Sequence, residues 1–143
     1  MAAPQFFTPG SVRPSRPKRR FTLAQANSTI PLVKRIVGDI VRVHDQAVKL
    51  QSELESLENK ERVSAQARLE SSMTRLEDYV DELSEVGCEL KDYQVGLIDF
   101  TGRHQGRDVC LCWKLGEDRI NYWHEQDKGF NGRQPVSKLQ ESE

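Results

Sequence analysis

The sequence contains few cysteines and no long apolar run. Three cysteines, Cys88, Cys110 and Cys112, are too few and too odd in number for the disulfide framework of a small secreted domain, so we expect a reducing compartment. No stretch approaches the roughly 18 consecutive apolar residues that a membrane span needs, and residues 6–10 break up any secretory apolar segment. These absences predict a soluble, cytoplasmic protein without a membrane partner.

Acidic residues are also absent from the first part of the chain. Seven basic residues and no acidic one precede Asp39, so the net charge of −1 leaves the remainder of the chain at −8. Residues 1–20 hold four of the six prolines and show no helical or strand period, which predicts a disordered basic arm. Such an arm is either a solubilising tail or a weak contact for nucleic acid through Arg13, Arg16, Lys18, Arg19 and Arg20.

Two amphipathic helices are expected after the arm. Thr22 and Gln25 form a capping-box signature, and Pro31 predicts a break near Thr29 before the main helix. Beyond it, apolar residues recur at alternating spacings of four and three, which is a coiled-coil period. The period resumes after residues 58–61 and ends near Gly87, which predicts a long antiparallel helical hairpin over residues 22–87.

The period changes to two after Gly87, which predicts an antiparallel meander of three or four strands over residues 88–126. A turn at residues 116–119 would place Tyr122 opposite Trp113 and put His124 on the apolar face with Trp113. We expect Asp99 to lie beside Cys110 on the other face. The whole prediction is one α+β domain over residues 21–136, with a loop at 127–136 and a frayed tail at 137–143.

The densest group of chemically useful side chains follows the last predicted strand. Histidine can act as a base or metal ligand, carboxylates as acids or ligands, and arginine as an anion clamp. The candidate ligand-binding residues are Trp123, His124, Glu125, Asp127 and Arg133, with Asp99 and Cys110 as contributors. The alternative is that His124 is a hydrogen-bonded histidine at the edge of the core and the two carboxylates are solvated.

A zinc site is disfavoured by the same register. Cys110 and Cys112 share one strand face and could in principle be joined by Cys88 or His124. Because the predicted register puts His124 on the opposite face, half-buried thiols are the favoured interpretation and no metal or cofactor is predicted. Phosphate-binding glycine loops, nucleophile elbows and zinc-protease helices are absent from the sequence, so the prediction leans against an enzyme.

The motifs at residues 21–27, 89–92, 96–100, 111–117 and 123–135 resemble a bacterial family known as domain of unknown function 2203. The resemblance covers about residues 21–136 and leaves out the basic arm. It implies a bacterial, cytoplasmic protein, and it implies no activity, because this family has no established function.

Two functions of different kinds stay open. The first is a non-enzymatic interaction or assembly module, in which the helical hairpin self-associates into a homo-oligomer or docks a helical partner, because its apolar stripe exceeds what a small sheet covers. The alternative is a small-ligand or metal-binding protein, or an enzyme, with a site at residues 123–133. That alternative predicts a pocket where His124, Asp127 and Arg133 converge.

Overall fold

A computed structural model of the protein describes residues 19–141. The helices are α1 (Leu23–Ser28), α2 (Ile30–Glu53) and α3 (Asn59–Val86), and the strands are β1 (Glu89–Asp92), β2 (Leu97–His104), β3 (Arg107–Lys114), β4 (Tyr122–Glu125) and β5 (Gln134–Pro135). Helices followed by an antiparallel sheet make an α+β fold, as predicted. Within residues 19–141, every helix is too short or too polar to cross a membrane.

The first helix begins and ends where the sequence predicts, and the second begins where it predicts. The Thr22 hydroxyl accepts a hydrogen bond from the Gln25 amide at 3.1 Å, and the Gln25 side chain accepts one from the Thr22 amide at 2.9 Å. This capping box starts α1, and Pro31 then lies in the first turn of α2. Gly87 caps α3 with a φ of 116°, and a Cβ there would lie 2.6 Å from the ring of Phe21. Both the backbone and the close ring therefore require glycine.

Helices α2 and α3 contact one another and pack much of their apolar stripe inside the chain. Their connection is residues 54–58, earlier than predicted, because Leu54–Ser56 form a short 3-10 helix and Asn59 already belongs to α3. Self-association through this stripe stays a prediction. The buried residues include Ile36, Ile40, Val43 and Ala47 of α2 and Leu69, Leu76 and Leu83 of α3.

The sheet has five strands in the order β1-β2-β3-β4-β5, so the prediction of three or four was wrong. The additional strand is β5, which lies inside the predicted loop at 127–136 and pairs with Tyr122 and Trp123 of β4. Its two residues include Pro135, which is tolerated because an edge strand can leave one side of its backbone unpaired. A sequence period cannot be read from two residues, and this explains the miss.

The β2–β3 register differs from the prediction by two residues. Ile98 faces Trp113, Asp99 faces Cys112 and Phe100 faces Leu111. The loop between β2 and β3 is tight, because Gln105 and Gly106, with φ of 51° and 80°, make a two-residue turn of the type that hairpins favour. A shift of two keeps each side chain on its predicted face. It moves Asp99 from Cys110 to Cys112.

The β3–β4 register differs by one residue, which reverses the faces of β4. Trp123 faces Leu111 and His124 faces Cys110, so Trp123 points into the core and His124 lies on the other side. The predicted tight turn is absent because residues 115–121 form a longer connection. In it, the buried Ile120 donates its amide hydrogen to the Asn27 side chain at 2.7 Å instead of pairing with Leu115.

Residues 1–18 of the predicted arm lie outside the described residues, and Arg13, Arg16 and Lys18 lie there. Arg20 forms an ion pair with Asp108 at 2.8 Å, and the Arg19 guanidinium lies 4.7 Å from the Phe21 ring centroid. Contact between the arm and nucleic acid stays a prediction. In the predicted tail, the Gln140 amide donates to Nδ1 of His104 at 2.9 Å and Glu141 accepts from the Leu23 amide at 2.6 Å.

Candidate metal centre

Three neighbouring strands bring Asp99, Cys112 and His124 together on the face of the sheet opposite Trp113. Asp99 of β2 lies directly across from Cys112 of β3. His124 of β4 lies across from Cys110, which is the next residue of β3 on the same face. One carboxylate oxygen, the cysteine sulfur and one imidazole nitrogen all lie within 4.8 Å of one another. The three residues are 7%, 0% and 4% exposed, so this polar cluster is shielded from water.

The hydrogen bonds of His124 determine which ring nitrogen carries a proton. Nδ1 lies 2.8 Å from the backbone carbonyl oxygen of Glu125, and because a carbonyl only accepts, Nδ1 must donate. Nε2 lies 3.2 and 3.3 Å from the two carboxylate oxygens of Asp99. In neutral imidazole Nε2 would then direct a lone pair at a carboxylate, which is repulsive. Either a second proton or a metal cation must therefore lie between Nε2 and Asp99.

Without a metal, the protons of the cluster are held firmly. The hydrogen bond with Asp99 raises the pKa of His124, against the effect of burial. Burial raises the pKa of the Cys112 thiol to about 12, and the charge of Asp99 adds to that increase. The metal-free form therefore holds a proton between Nε2 of His124 and Asp99, beside a neutral thiol.

The geometry also fits a metal ion. Imidazole nitrogen, thiolate sulfur and carboxylate oxygen are the ligand types of protein zinc sites, and nitrogen and oxygen ligands of a tetrahedral zinc ion lie about 3.3 Å apart. The separations between Nε2 and the Asp99 oxygens are 3.2 and 3.3 Å. A charge-assisted hydrogen bond between such groups is usually shorter, about 2.7–2.9 Å. Backbone hydrogen bonding of the far ring nitrogen is typical of histidine that ligates metal.

Comparison with known proteins identifies a family. The model of a family described as uncharacterized conserved protein (DUF2203) matches residues 19–136 of the chain. The chain belongs to the DUF2203 family. No curated protein and no solved structure matches it. The DUF2203 match contains all three residues of the cluster, and the family description assigns no activity to them.

In this DUF2203 chain, the predicted site residues separate into two groups. His124 and Asp99 come together, and half-buried Cys110 lies directly across from His124. Trp123 lies on the core face, where its ring is tilted against that of His104 with the centroids 4.4 Å apart, and its Nε1 donates to the carbonyl of Pro135 at 3.2 Å. Trp123 therefore belongs to the apolar core and is not part of the cluster.

The remaining predicted residues lie around the cluster or away from it. Glu125 pairs with Arg107 at 2.6 Å, and Asp127 is exposed on the loop after β4. Arg133 is nearly buried and pairs with Glu117 at 2.7 Å. Glu125 is therefore paired with a guanidinium, and Arg133 is separately paired with a carboxylate.

Cys112 is not among the candidate residues predicted from the sequence. The signal for it was present, because alternation along β3 places Cys110 and Cys112 on one face. The register error hid its partner by assigning His124 to the other face. Correct pairing of both Asp99 and Tyr122 with Cys112 would have brought the three ligand types together.

Proposed function

We propose that this protein binds one divalent transition metal ion, with zinc the best match, through Asp99, Cys112 and His124. The observation that carries the proposal is the orientation of His124, whose Nδ1 must donate to the Glu125 carbonyl while Nε2 faces a buried carboxylate. A metal ion between Nε2 and Asp99 would take the place of the proton that otherwise lies between them, and it would supply the cation that a buried Cys112 thiolate needs.

Three protein ligands would leave one position of a tetrahedral ion for a small ligand, the arrangement typical of catalytic rather than purely structural zinc sites. Each ligand lies within a different one of three paired strands, and these strands hold the ligands more rigidly than a loop would. The proposed function is therefore metal-dependent binding of a small ligand, and the pocket of His124, Asp127 and Arg133 stays a prediction.

The test is a metal titration of the purified, chelator-treated protein with Zn²⁺ and with Co²⁺. We expect one equivalent of metal per chain and, for Co²⁺, a thiolate-to-cobalt charge-transfer band. Cys112→Ser should remove the band and weaken Zn²⁺ binding by more than about 100-fold, since outer-shell partners alone are worth about 10–100-fold. The matched control is Cys110→Ser, which alters a thiol on the same strand and face.

Cys110→Ser should bind both metals as the wild type does. Circular dichroism of each variant reports whether it is folded. Failure of the folded wild type to bind Zn²⁺, or equal binding by folded Cys112→Ser, would contradict the proposal and leave the cluster as a buried ion pair with a neighbouring thiol.

A further inference from the structure

Arg133 lies between two aromatic rings beside the metal centre. Its guanidinium carbon is 4.2 Å from the ring centroid of Tyr122 and 4.6 Å from that of Phe130. Both rings are partly exposed, at 37% and 42%, whereas the Arg133 side chain is only 11% exposed. The cluster of Arg133, Tyr122 and Phe130 is thus a cation held in an aromatic sandwich at the surface of the sheet.

The pairing of the strands connects this sandwich to the metal centre. Tyr122 lies directly opposite Cys112, which lies directly opposite Asp99, so the three form one row across β4, β3 and β2. Neighbours in such a row have Cβ atoms about 4.5–5.5 Å apart. Arg133 therefore belongs to the immediate surroundings of the metal centre.

The guanidinium of Arg133 has an N–H donor without a hydrogen-bond partner among residues 19–141. Nη2 contacts both oxygens of Glu117 at 2.7 Å, while Nε is buried and has no hydrogen-bond partner within residues 19–141. Arg20 and Arg107, in contrast, engage their carboxylates with Nε and Nη2 together. A buried N–H without a partner is uncommon in proteins and costs free energy, so a ligand that accepts from it would be favoured.

The charges of the metal centre indicate which kind of ligand would need a cation nearby. A divalent cation with ionised Asp99 and Cys112 has no net charge, so an anion in the fourth coordination position would leave one negative charge in a buried place. Arg133 lies over the ring of Tyr122, the neighbour of Cys112 in this row, and it forms an ion pair with Glu117. An arriving anion and Glu117 would compete for the same guanidinium.

We propose that the fourth position of the metal takes a small carboxylate ligand with an apolar substituent, whose charge is balanced by Arg133 as it exchanges Glu117 for the ligand. The planar fork of arginine suits a carboxylate, and the exposed rings of Tyr122 and Phe130 suit the apolar group. This inference rests on the proposed metal binding. Arg133 acts here as a specificity residue, and Glu117 as the carboxylate that the ligand displaces.

The test follows the visible spectrum of the Co²⁺-loaded protein during titration with benzoate, acetate and inorganic phosphate. We expect benzoate to perturb the spectrum most tightly, acetate more weakly, and phosphate least. Arg133→Gln should still bind one equivalent of Co²⁺ and should weaken benzoate binding at least about tenfold, a loss typical of removing one charged partner.

Glu117→Gln gives a second readout that misfolding cannot imitate, because benzoate should bind several-fold more tightly once Arg133 is released. The glutamine keeps a side-chain oxygen to accept from the Lys114 amide, which lies 2.8 Å from Glu117 in the wild type. The matched control is Arg107→Gln, which breaks the Arg107–Glu125 ion pair on the same sheet and should leave benzoate affinity unchanged.

The outcomes separate the two proposals. If the wild type fails to bind Co²⁺, both are overturned. If Co²⁺ binds but no carboxylate alters its spectrum, or if Arg133→Gln binds benzoate as the wild type does, only the carboxylate proposal is overturned. Tighter binding of phosphate than of benzoate would likewise overturn the choice of a carboxylate.

Discussion

The two faces of the five-stranded sheet bury different chemistry. One face carries Trp113, Trp123 and Leu111, which are at most 2% exposed and belong to the same apolar core as the helices. The other buries Asp99, Cys112 and His124, whose polar atoms must satisfy one another. Burial on the first face is stabilising in itself, whereas burial on the second is costly unless each polar group is paired. The comparison separates the residues that stabilise the fold from those that can carry a function.

The largest expected effect concerns the core face. Trp113→Ala removes a fully buried indole and should lower the free energy of unfolding by about 3–5 kcal/mol. Tyr122→Ala, on the other face and 37% exposed, should cost less than about 1.5 kcal/mol. Urea denaturation of both variants measures the difference. Similar losses would break the distinction between the faces.

The next effect concerns the polar face and requires metal. Zn²⁺ at about 100 times its dissociation constant should stabilise the wild type by about 2.7 kcal/mol, because it binds only the folded state. A chelator should reverse the gain, and His124→Gln should show none. Thermal unfolding with and without Zn²⁺ measures this. Trp123→Phe, which alters the core face, should still be stabilised by Zn²⁺. If Zn²⁺ did not stabilise this variant, the two faces would not be independent.

A smaller effect tests how tightly the core face is packed. In Gly102→Ala the new Cβ would lie 2.8 Å from Cγ of Leu111, so we expect a loss of about 1–3 kcal/mol from overpacking. The neighbouring Thr101→Ala, on the other face, should cost less than about 1 kcal/mol. Chemical denaturation of the two variants compares them directly. A neutral Gly102→Ala would mean that Leu111 can move aside without cost.

The smallest expected effect concerns the titration of His44, which lies on helix α2 and not in the sheet. Burial lowers the pKa of His44 on α2, although the charges of Asp92 and Asp45 act to raise it, and the ring stacks on Tyr93 at 5.3 Å. Between this lowered pKa and its ordinary value of 6.5, the unfolded chain binds a proton that the folded chain does not. The free energy of unfolding should therefore fall as the pH drops below about 6.5.

His44→Phe keeps a ring beside Tyr93 and removes the titrating group. The difference in urea midpoint between wild type and variant, measured from about pH 7.5 to about pH 5.5, isolates His44 from the other histidines. We expect the wild type to lose more stability than His44→Phe over this range. Parallel curves would show that His44 is protonated equally in both states.

The sequence predicted the order of elements because local signals state it plainly. The Thr22 cap and Gly87 each act within one helix, and both predicted helix boundaries are present in the structure. It could not predict the pairing of β3 with β4, because Ile120 is held by the distant Asn27 and not by the turn beside it. The candidate site depended on that pairing. His124 and Asp99 were named, but Cys112 joined them only when the register was known.

The order of the strands in the sheet, which follows their order in the chain, has a consequence for how the protein folds. Every ladder joins strands adjacent in sequence, and the longest one, β2 with β3, closes through the two-residue turn at Gln105 and Gly106. Closing a short loop costs little entropy, so we expect this hairpin to form early and the edge strands to add to it. Asp99 and Cys112 would then already face one another, and the site would be completed when β4 brings in His124.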